Sequence, residues 1–385
     1  LTFSEKTACI FKIIMVRPRS QLWHYFVIFG LFLYIFCFTY TGSNWSRKFR
    51  ESPKTNNEGL IMSEMHNDEY CVAYNFLVAT DSFREDGLEP ITLAIHGTPE
   101  MMKMIEKKPS NWDGPISLGL FVDFHSRQAL EYISEVHRCD EEFRKKVTIH
   151  FAFRLSAFQD NCPLIKIASK NRECKEFLVN REKYRKEVAG SFQLYPSNLM
   201  RNVARRGAKS DIHFIADVDM VMSKDFAKKV KPIANKMIDG KNKKLLVVRV
   251  FQFHHKFFFN GHKITNISHW FNVSESTDKI VAWEIPYTSS LWEVQVILHR
   301  NDLYNADYFP ARIKVMHLCR ANYTFNLLSH VFDVHEGIKL DDTMYSKSVI
   351  SHSKKYGKKR AYERYVKEID KSYPLTLKRC GKFVM

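Results

Sequence analysis

From about residue 90 onward, the chain alternates short apolar segments with segments of helical periodicity. Runs rich in β-branched and aromatic residues predict buried strands, and the segments between them predict helices. Strands are predicted over residues 91–95, 116–121, 147–153 and 245–251, with another that ends at Asp219; helices are predicted over residues 100–108, 126–137, 196–209 and 359–371. Strands that alternate with helices imply a largely parallel sheet covered on both faces, so the predicted fold class is α/β.

The strand that ends at Asp219 carries two carboxylates one residue apart, Asp217 and Asp219. Residues at i and i+2 of a strand point to the same face, so the two side chains are expected to converge. Adjacent like charges need a positive partner, and a divalent cation such as Mg²⁺ or Mn²⁺ prefers carboxylate and phosphate oxygens. Ligands of parallel sheets bind beyond the carboxyl ends of the strands, which favours a metal site here. A solvated strand end remains the alternative.

The helix that precedes this strand carries Arg201 and Arg205, four residues apart. Like charges at this spacing repel each other weakly, and an anionic ligand would offset the repulsion. Because arginine binds phosphate and carboxylate with two hydrogen bonds, both residues are candidates for contacting a phosphate. The alternative is a basic outer face.

Two further segments contain candidate site residues. His335 lies between a short apolar run and a glycine, which suits a metal ligand or a structural hydrogen-bonding residue, and Lys339 nearby is a candidate phosphate contact. Glu293 follows Trp292, a pairing that suits a sugar-binding wall with a general base. A surface glutamate beside a buried tryptophan explains that pairing equally well.

The chain has 385 residues, enough for one large domain or two smaller ones, and a formal net charge of +17. Such a charge suits nucleic acid, an anionic membrane surface or an anionic ligand such as a nucleotide diphosphate, or it is only a basic solvated surface. The sequence contains no dense Lys/Arg block and no nucleic-acid-binding signature, so no nucleic-acid partner is predicted.

Residues 22–41 contain no Asp, Glu, Lys or Arg and are long enough to span a bilayer as a helix. The predicted organisation is therefore a tail over residues 1–21, an anchor over 22–41, a stem and lead-in over 42–89 and a main domain over 90–385. Charges flank the anchor on both sides and do not fix its orientation.

Cysteines and glycosylation sequons favour a lumenal location for the main domain. An even set of six cysteines beyond the anchor predicts disulfides formed in an oxidising compartment: Cys71, Cys139, Cys162, Cys174, Cys319 and Cys380. The sequons begin at Asn44, Asn266, Asn272 and Asn322.

From about residue 91 to the C-terminus, the chain resembles the LARGE-like glycosyltransferases of the β-1,4-glucuronyltransferase and i-antigen β-1,3-N-acetylglucosaminyltransferase type. The motifs that carry the resemblance are Tyr195-Pro-Ser-Asn-Leu-Met-Arg-Asn, Asp217-Val-Asp219, Trp292-Glu293, Val334-His335-Glu-Gly337 and Arg379-Cys380. The resemblance implies a GT-A fold and a Golgi type II membrane enzyme.

The same resemblance implies roles for the candidate residues. Asp217, Asp219 and His335 would be the Mn²⁺ ligands, with Arg201 and Asn202 near the nucleotide of a UDP-sugar. The transfer would be inverting, from UDP-glucuronic acid or UDP-N-acetylglucosamine to a glycan acceptor on a glycoprotein or glycolipid, with Glu293 as the predicted base. Whether the chain forms a homodimer is left open.

The chain departs from the family pattern on the acceptor side. It has Arg249-Val-Phe-Gln252 after the central strand, Trp292-Glu293-Val294, and Asp307-Tyr-Phe-Pro-Ala-Arg where an acidic-aromatic stretch is usual. Two alternatives therefore stay open. The first is an inactive GT-A protein that binds nucleotide or glycan, and the second is a membrane-tethered basic protein that binds glycan or nucleic acid without using Asp217 and Asp219.

Overall fold

In the computed structural model, eleven strands of the described part of the chain form one mixed sheet. The structure describes residues 60–124, 126–167, 172–191, 193–253, 279–287, 294–302, 311–336 and 358–381. All of them belong to one compact unit, Arg50–Met385. The predicted anchor over residues 22–41, Glu293 and Lys339 lie outside the described residues.

The strands are β1 (Glu64–His66), β2 (Tyr70–Leu77), β3 (Ile91–Gly97), β4 (Ile116–Phe121), β5 (Val147–Arg154), β6 (Ile212–Ile215), β7 (Met220–Met222), β8 (Lys244–Phe253), β9 (Ala282–Ile285), β10 (Gln295–His299) and β11 (Thr324–Glu336). The helices are α1 (Met102–Asn111), α2 (Gln128–Cys139), α3 (Glu141–Lys146), α4 (Cys174–Val179), α5 (Arg181–Glu187), α6 (Ser197–Gly207), α7 (Phe226–Met237), α8 (Ala311–Arg320), α9 (Lys358–Ser372) and α10 (Leu377–Cys380).

The sheet is mixed rather than largely parallel, and this corrects the prediction. Its order is β1-β2-β5-β4-β3-β6-β10-β8-β11-β7, with β9 paired to β11. Strands β5, β4, β3 and β6 are parallel neighbours, as are β8 and β11, but β10 is antiparallel to both β6 and β8. A buried strand shows the same apolar pattern beside parallel or antiparallel neighbours, so the sequence did not distinguish them.

The predicted strands over residues 91–95, 116–121, 147–153 and 245–251 are confirmed to within two residues at each end. The predicted lead-in, however, already contains sheet structure, because β2 pairs with β5 in an antiparallel register. The strand predicted to end at Asp219 ends at Ile215, and the chain turns before β7 begins. This turn arises because β7 pairs with β11 at the edge of the sheet rather than with a neighbour of β6.

Helix α6 packs directly against the parallel strands and so fixes the position of the arginines it carries. Its apolar face, which includes Leu199, Met200 and Val203, is buried. A glycine in β4 permits the close approach: a Cβ atom at Gly119 would lie 2.9 Å from the carbonyl oxygen of Met200.

All six cysteines expected to pair do so, as Cys71–Cys162, Cys139–Cys174 and Cys319–Cys380. Asn322 is exposed in the turn between α8 and β11, while the other sequons lie outside the described residues. No helix within the described ranges is both long and apolar enough to cross a membrane.

Candidate active site

The two carboxylates of the D-x-D sequence lie in a tight turn beyond the carboxyl end of β6. The turn is closed by a hydrogen bond that the Met220 amide donates to the Asp217 carbonyl, at 3.2 Å. Strand β7 starts at Met220 and pairs antiparallel with β11, with His335 opposite Met220. This pairing brings His335 to the same end of the sheet as the turn.

Asp219 and His335 contact each other directly. His335 Nε2 lies 3.0 Å from Asp219 Oδ2, and both side chains are about one-third exposed. The other oxygen, Asp219 Oδ1, is buried and has no hydrogen-bond partner among the described residues. A buried carboxylate oxygen without a partner is unfavourable, so this atom is a candidate for contact with a bound cation.

Asp217 contacts a different set of groups. Arg201 Nη2 lies 2.9 Å from Asp217 Oδ1, and His96 Nε2 lies 3.7 Å from the same oxygen. The Nδ1 atom of His96 in turn contacts the hydroxyl of Tyr195. The two carboxylates therefore face different partners, which differs from the convergence expected of residues i and i+2 in a strand, because they lie in a turn.

The other predicted nucleotide contacts on α6 are buried. Arg205 Nη2 donates to the carbonyl oxygens of Arg300 and Asp302, at 2.7 and 2.8 Å, so it ties α6 to the end of β10. Asn202 lies in the buried part of the same helix. Roles for Arg205 and Asn202 at a nucleotide remain predictions, as do those of Glu293 and Lys339 outside the described residues.

Sequence reasoning missed two buried charged residues behind the turn. Lys108 of α1 is 4% exposed, and its Nζ donates to the Met220 carbonyl at 2.5 Å. Asp333 of β11 is fully buried, and neither of its carboxylate oxygens has a hydrogen-bond partner within the described ranges. Burial lowers the pKa of Lys108 to about 8, although the negative charges of Asp219 and Asp333 act to raise it. Burial raises the pKa of Asp333 to about 8. The negative charge of Asp217 also raises this pKa, and the positive charge of Lys108 lowers it.

His96 was also missed, although the sequence contained a signal for it. It is the sixth residue of β3, in a strand predicted to end one residue earlier. Side chains that follow a parallel strand lie at the edge where ligands bind, so the rule that pointed to Asp217 applies equally to His96. Lys108 had no comparable signal, because a lysine in an amphipathic helix is normally solvated.

The donor atoms suit a divalent cation only in part. Carboxylate oxygen and imidazole nitrogen both bind divalent cations, and the buried Asp219 Oδ1 has no hydrogen-bond partner among the described residues. The described part of the chain, however, contains no group of three or more His, Cys, Asp or Glu side chains arranged to hold a metal ion. Asp219 and His335 therefore fit a cation as a pair, and Asp217 as a third ligand remains a prediction.

Comparisons with known proteins relate the chain to one enzyme family. The sequence profile described as "Glycosyl-transferase for dystroglycan" matches residues 90–252 and 247–374. Beta-1,4-glucuronyltransferase 1 of Danio rerio is 23% identical over 354 residues, covering 80% of this chain and 81% of that protein.

Two solved structures of Staphylococcus aureus TarS, residues 1–349, are also similar. The complex with UDP-GlcNAc has a TM-score of 0.37 at 11% identity and covers 67% of this chain, and the other has a TM-score of 0.35 at 11% identity and covers 64%. The chain spans about three-fifths of the length of these TarS structures, 61% and 60%. Likeness at this level defines neither a site nor a substrate.

The fold is mixed α/β, with a cluster of polar side chains beyond the carboxyl ends of its parallel strands. The matched profile covers most of the chain, and the chain belongs to this glycosyltransferase family. The expected resemblance and the expected enzyme class, a glycosyltransferase, are thereby confirmed.

Proposed function

We propose that the chain is a Golgi type II membrane glycosyltransferase with a GT-A fold, which transfers a sugar from a UDP-sugar to a glycan acceptor with inversion and requires Mn²⁺. Glucuronic acid and N-acetylglucosamine are the candidate sugars; the similarity to a glucuronyltransferase favours the first. Three disulfides agree with a lumenal domain, since such bonds persist in oxidising compartments.

The observation that carries the proposal is the contact between Asp219 and His335 in a chain of this family. Two potential metal ligands, one from the turn after β6 and one from β11, meet at the carboxyl edge of the sheet, 3.0 Å apart. One oxygen of Asp219 is buried without a hydrogen-bond partner in the described part of the chain. A solvated strand end needs neither feature, because water would satisfy an exposed carboxylate.

The residues at the carboxyl edge of the sheet suggest separate roles in metal binding, diphosphate binding and proton transfer. Asp219 and His335 would hold Mn²⁺, which when bound would neutralise charge that develops on the UDP leaving group. Arg201 lies beside Asp217 and is only 16% exposed, so its guanidinium is held in place to bind a diphosphate oxygen. The acceptor hydroxyl would displace UDP at the anomeric carbon and give its proton to a carboxylate, for which Glu293 is the predicted residue.

A second candidate is a protein of the same fold that binds the nucleotide without transferring sugar. The salt bridge between Arg201 and Asp217 favours it, because this pairing neutralises one of the predicted metal ligands within the polypeptide itself. The altered acceptor-side sequence, including Val294 after Trp292-Glu293, points the same way.

Activity and binding assays on the full chain separate these functions. UDP release would be measured with a panel of UDP-sugars and glycan acceptors, with Mn²⁺ and with a chelator, and UDP binding would be measured by calorimetry. Metal-dependent release with one donor supports the transferase. Metal-dependent UDP binding without transfer to any acceptor supports the inactive protein. Absence of metal-dependent UDP binding would contradict both.

A further inference from the structure

The edge strand β7 is held on its outer side by two side chains of α1. Strand β7 pairs with β11 on one side and ends the sheet order on the other. On that outer side, Lys108 Nζ donates to the Met220 carbonyl at 2.5 Å. Asn111 donates to the Met222 carbonyl at 3.2 Å and accepts from the Met222 amide at 3.0 Å. We refer to Lys108 and Asn111 together as the α1 clasp.

The clasp acts on the backbone between the two proposed metal ligands. Met220 follows Asp219 in sequence and lies opposite His335 in the pairing of β7 with β11. Its amide closes the D-x-D turn onto the Asp217 carbonyl, while its carbonyl accepts from Lys108. Both backbone polar groups of Met220 are therefore hydrogen-bonded. The position of Asp219 relative to His335 depends on these two hydrogen bonds.

A lysine is also unusual at a buried position that makes only a structural contact. A buried ammonium loses hydration, and a neutral side chain of similar length would fill the same volume at lower cost. The carboxyl groups that interact with it electrostatically are Asp219, in the D-x-D turn, and Asp333, fully buried on β11 two residues before His335. Lys108 thus places a buried amino group beside the Met220 carbonyl and within electrostatic range of Asp219.

We propose that the α1 clasp is a positioning element of the active site: Lys108 and Asn111 set the spacing of Asp219 and His335 and so control metal and donor binding. The inference rests on the proposed function, because it assumes that Asp219 and His335 hold a cation. It extends that function to a helix more than 100 residues away in sequence from both the turn and β11.

The test replaces Lys108 with methionine, which keeps the length of the side chain and removes its charge and donor. Lys107→Met is the matched control, because Lys107 is the preceding residue of the same helix and is exposed. Mn²⁺ binding to the full chain is measured by electron paramagnetic resonance of free Mn²⁺, and UDP binding by calorimetry. Both are measured at a temperature at which circular dichroism shows each variant folded.

Lys108→Met is expected to raise the Kd for Mn²⁺ by about 10- to 100-fold, the usual effect of losing a group that orients a metal ligand. The donor KM is expected to rise with it, Lys108→Arg to restore part of the affinity, and Lys107→Met to bind as the wild type does. A folded Lys108→Met protein with wild-type affinity for Mn²⁺ would overturn the inference, even where its thermal stability is lower.

A second variant keeps the inference testable where Lys108→Met does not fold. Asn111→Ala removes the other half of the clasp and leaves the buried charge in place. We expect it to weaken Mn²⁺ binding in the same direction, and unchanged binding would overturn the inference. Failure of the wild-type chain itself to bind Mn²⁺ or UDP would instead contradict the proposed function, so the two failures are distinguishable.

Discussion

The Nε2 atom of His335 lies 3.0 Å from Oδ2 of Asp219, although 116 positions separate the two residues in the chain. The pairing of β7 with β11 produces this contact, since His335 is opposite Met220 and Asp219 immediately precedes Met220. Neither residue alone indicates a site. Their contact at the carboxyl edge of the sheet connects the fold to the proposed chemistry.

Arg201→Gln should weaken UDP binding by about 10- to 100-fold, because a charge-assisted hydrogen bond to a diphosphate oxygen is lost. Calorimetry with Mn²⁺ present measures this change. Arg206→Gln, on the last turn of the same helix, is the control and should leave UDP affinity near that of the wild type. Equal loss in both variants would indicate a general effect of charge rather than a contact made by Arg201.

Gly119→Ala should destabilise the protein by about 1–3 kcal/mol, because the new Cβ atom would lie 2.9 Å from the Met200 carbonyl oxygen and push α6 away from β4. Urea unfolding measures the free energy of unfolding. Gly97→Ala on the neighbouring strand is the control, since its Cβ atom would meet the flexible Met101 side chain at 3.4 Å. An effect at residue 97 as large as that at 119 would argue against close helix packing as the cause.

Stability should fall as the pH drops below 6.5, in part because of His150. Complete burial, reinforced by Lys209, lowers the pKa of His150 from 6.5 to about 3. Between these values the unfolded chain binds a proton that the folded protein does not, so the free energy of unfolding decreases by about 1.4 kcal/mol per pH unit for this residue. Its contribution is fully present above pH 6.5 and is lost progressively on acidification.

The variant that tests this prediction is His150→Gln. The side-chain oxygen of glutamine can accept a hydrogen bond from the Asn75 backbone amide, as His150 Nδ1 does. Urea unfolding at a series of pH values between 7 and 5 should give a slope smaller than the wild-type slope, by a difference that approaches one proton at pH 5. The remaining slope comes from other buried histidines such as His213. Burial lowers the pKa of His213 well below its ordinary value. An unchanged slope would show that His150 is not buried as a neutral group.

Replacing both Cys319 and Cys380 with serine should lower the free energy of unfolding by about 2–5 kcal/mol, the usual effect of removing a native disulfide. This bond joins α8 to α10 across 61 residues of sequence. Urea unfolding measures the loss. The Kd for Mn²⁺, measured on the folded protein, should stay near the wild-type value, because neither cysteine belongs to the Asp219–His335 pair.

The parallel part of the sheet and the acidic end of β6 could be predicted from the sequence. Strands β3, β4 and β5 are short apolar runs bounded by polar segments, and the position of Asp217 after such a run follows the rule for ligand sites in parallel sheets. The turn over Asp217 and Asp219 could not be predicted, since it depends on which strand β7 pairs with. Long-range pairing leaves no local pattern of residues.

The polar groups behind the site were missed for a related reason. Lys108 lies in a segment with two other lysines, a pattern that predicts a solvated helix face, yet it is buried against the D-x-D turn. Asp333 lies within an apolar run that reads as an ordinary strand. Their significance comes from the contact of α1 with β7 and the pairing of β7 with β11, which bring together residues more than 100 positions apart.

The most direct test of the proposed metal site is the Mn²⁺-dependent binding of UDP to the Asp219→Asn variant, measured by calorimetry beside the wild type. The substitution keeps the shape of the side chain and removes the charge that a cation needs. We expect the metal-dependent part of UDP affinity to fall by at least about 100-fold, with an unchanged unfolding midpoint, because loss of a ligand should exceed the effect of losing a group that only orients one. Binding within about twofold of the wild type, with the same dependence on Mn²⁺, would contradict the assignment of Asp219 as a metal ligand.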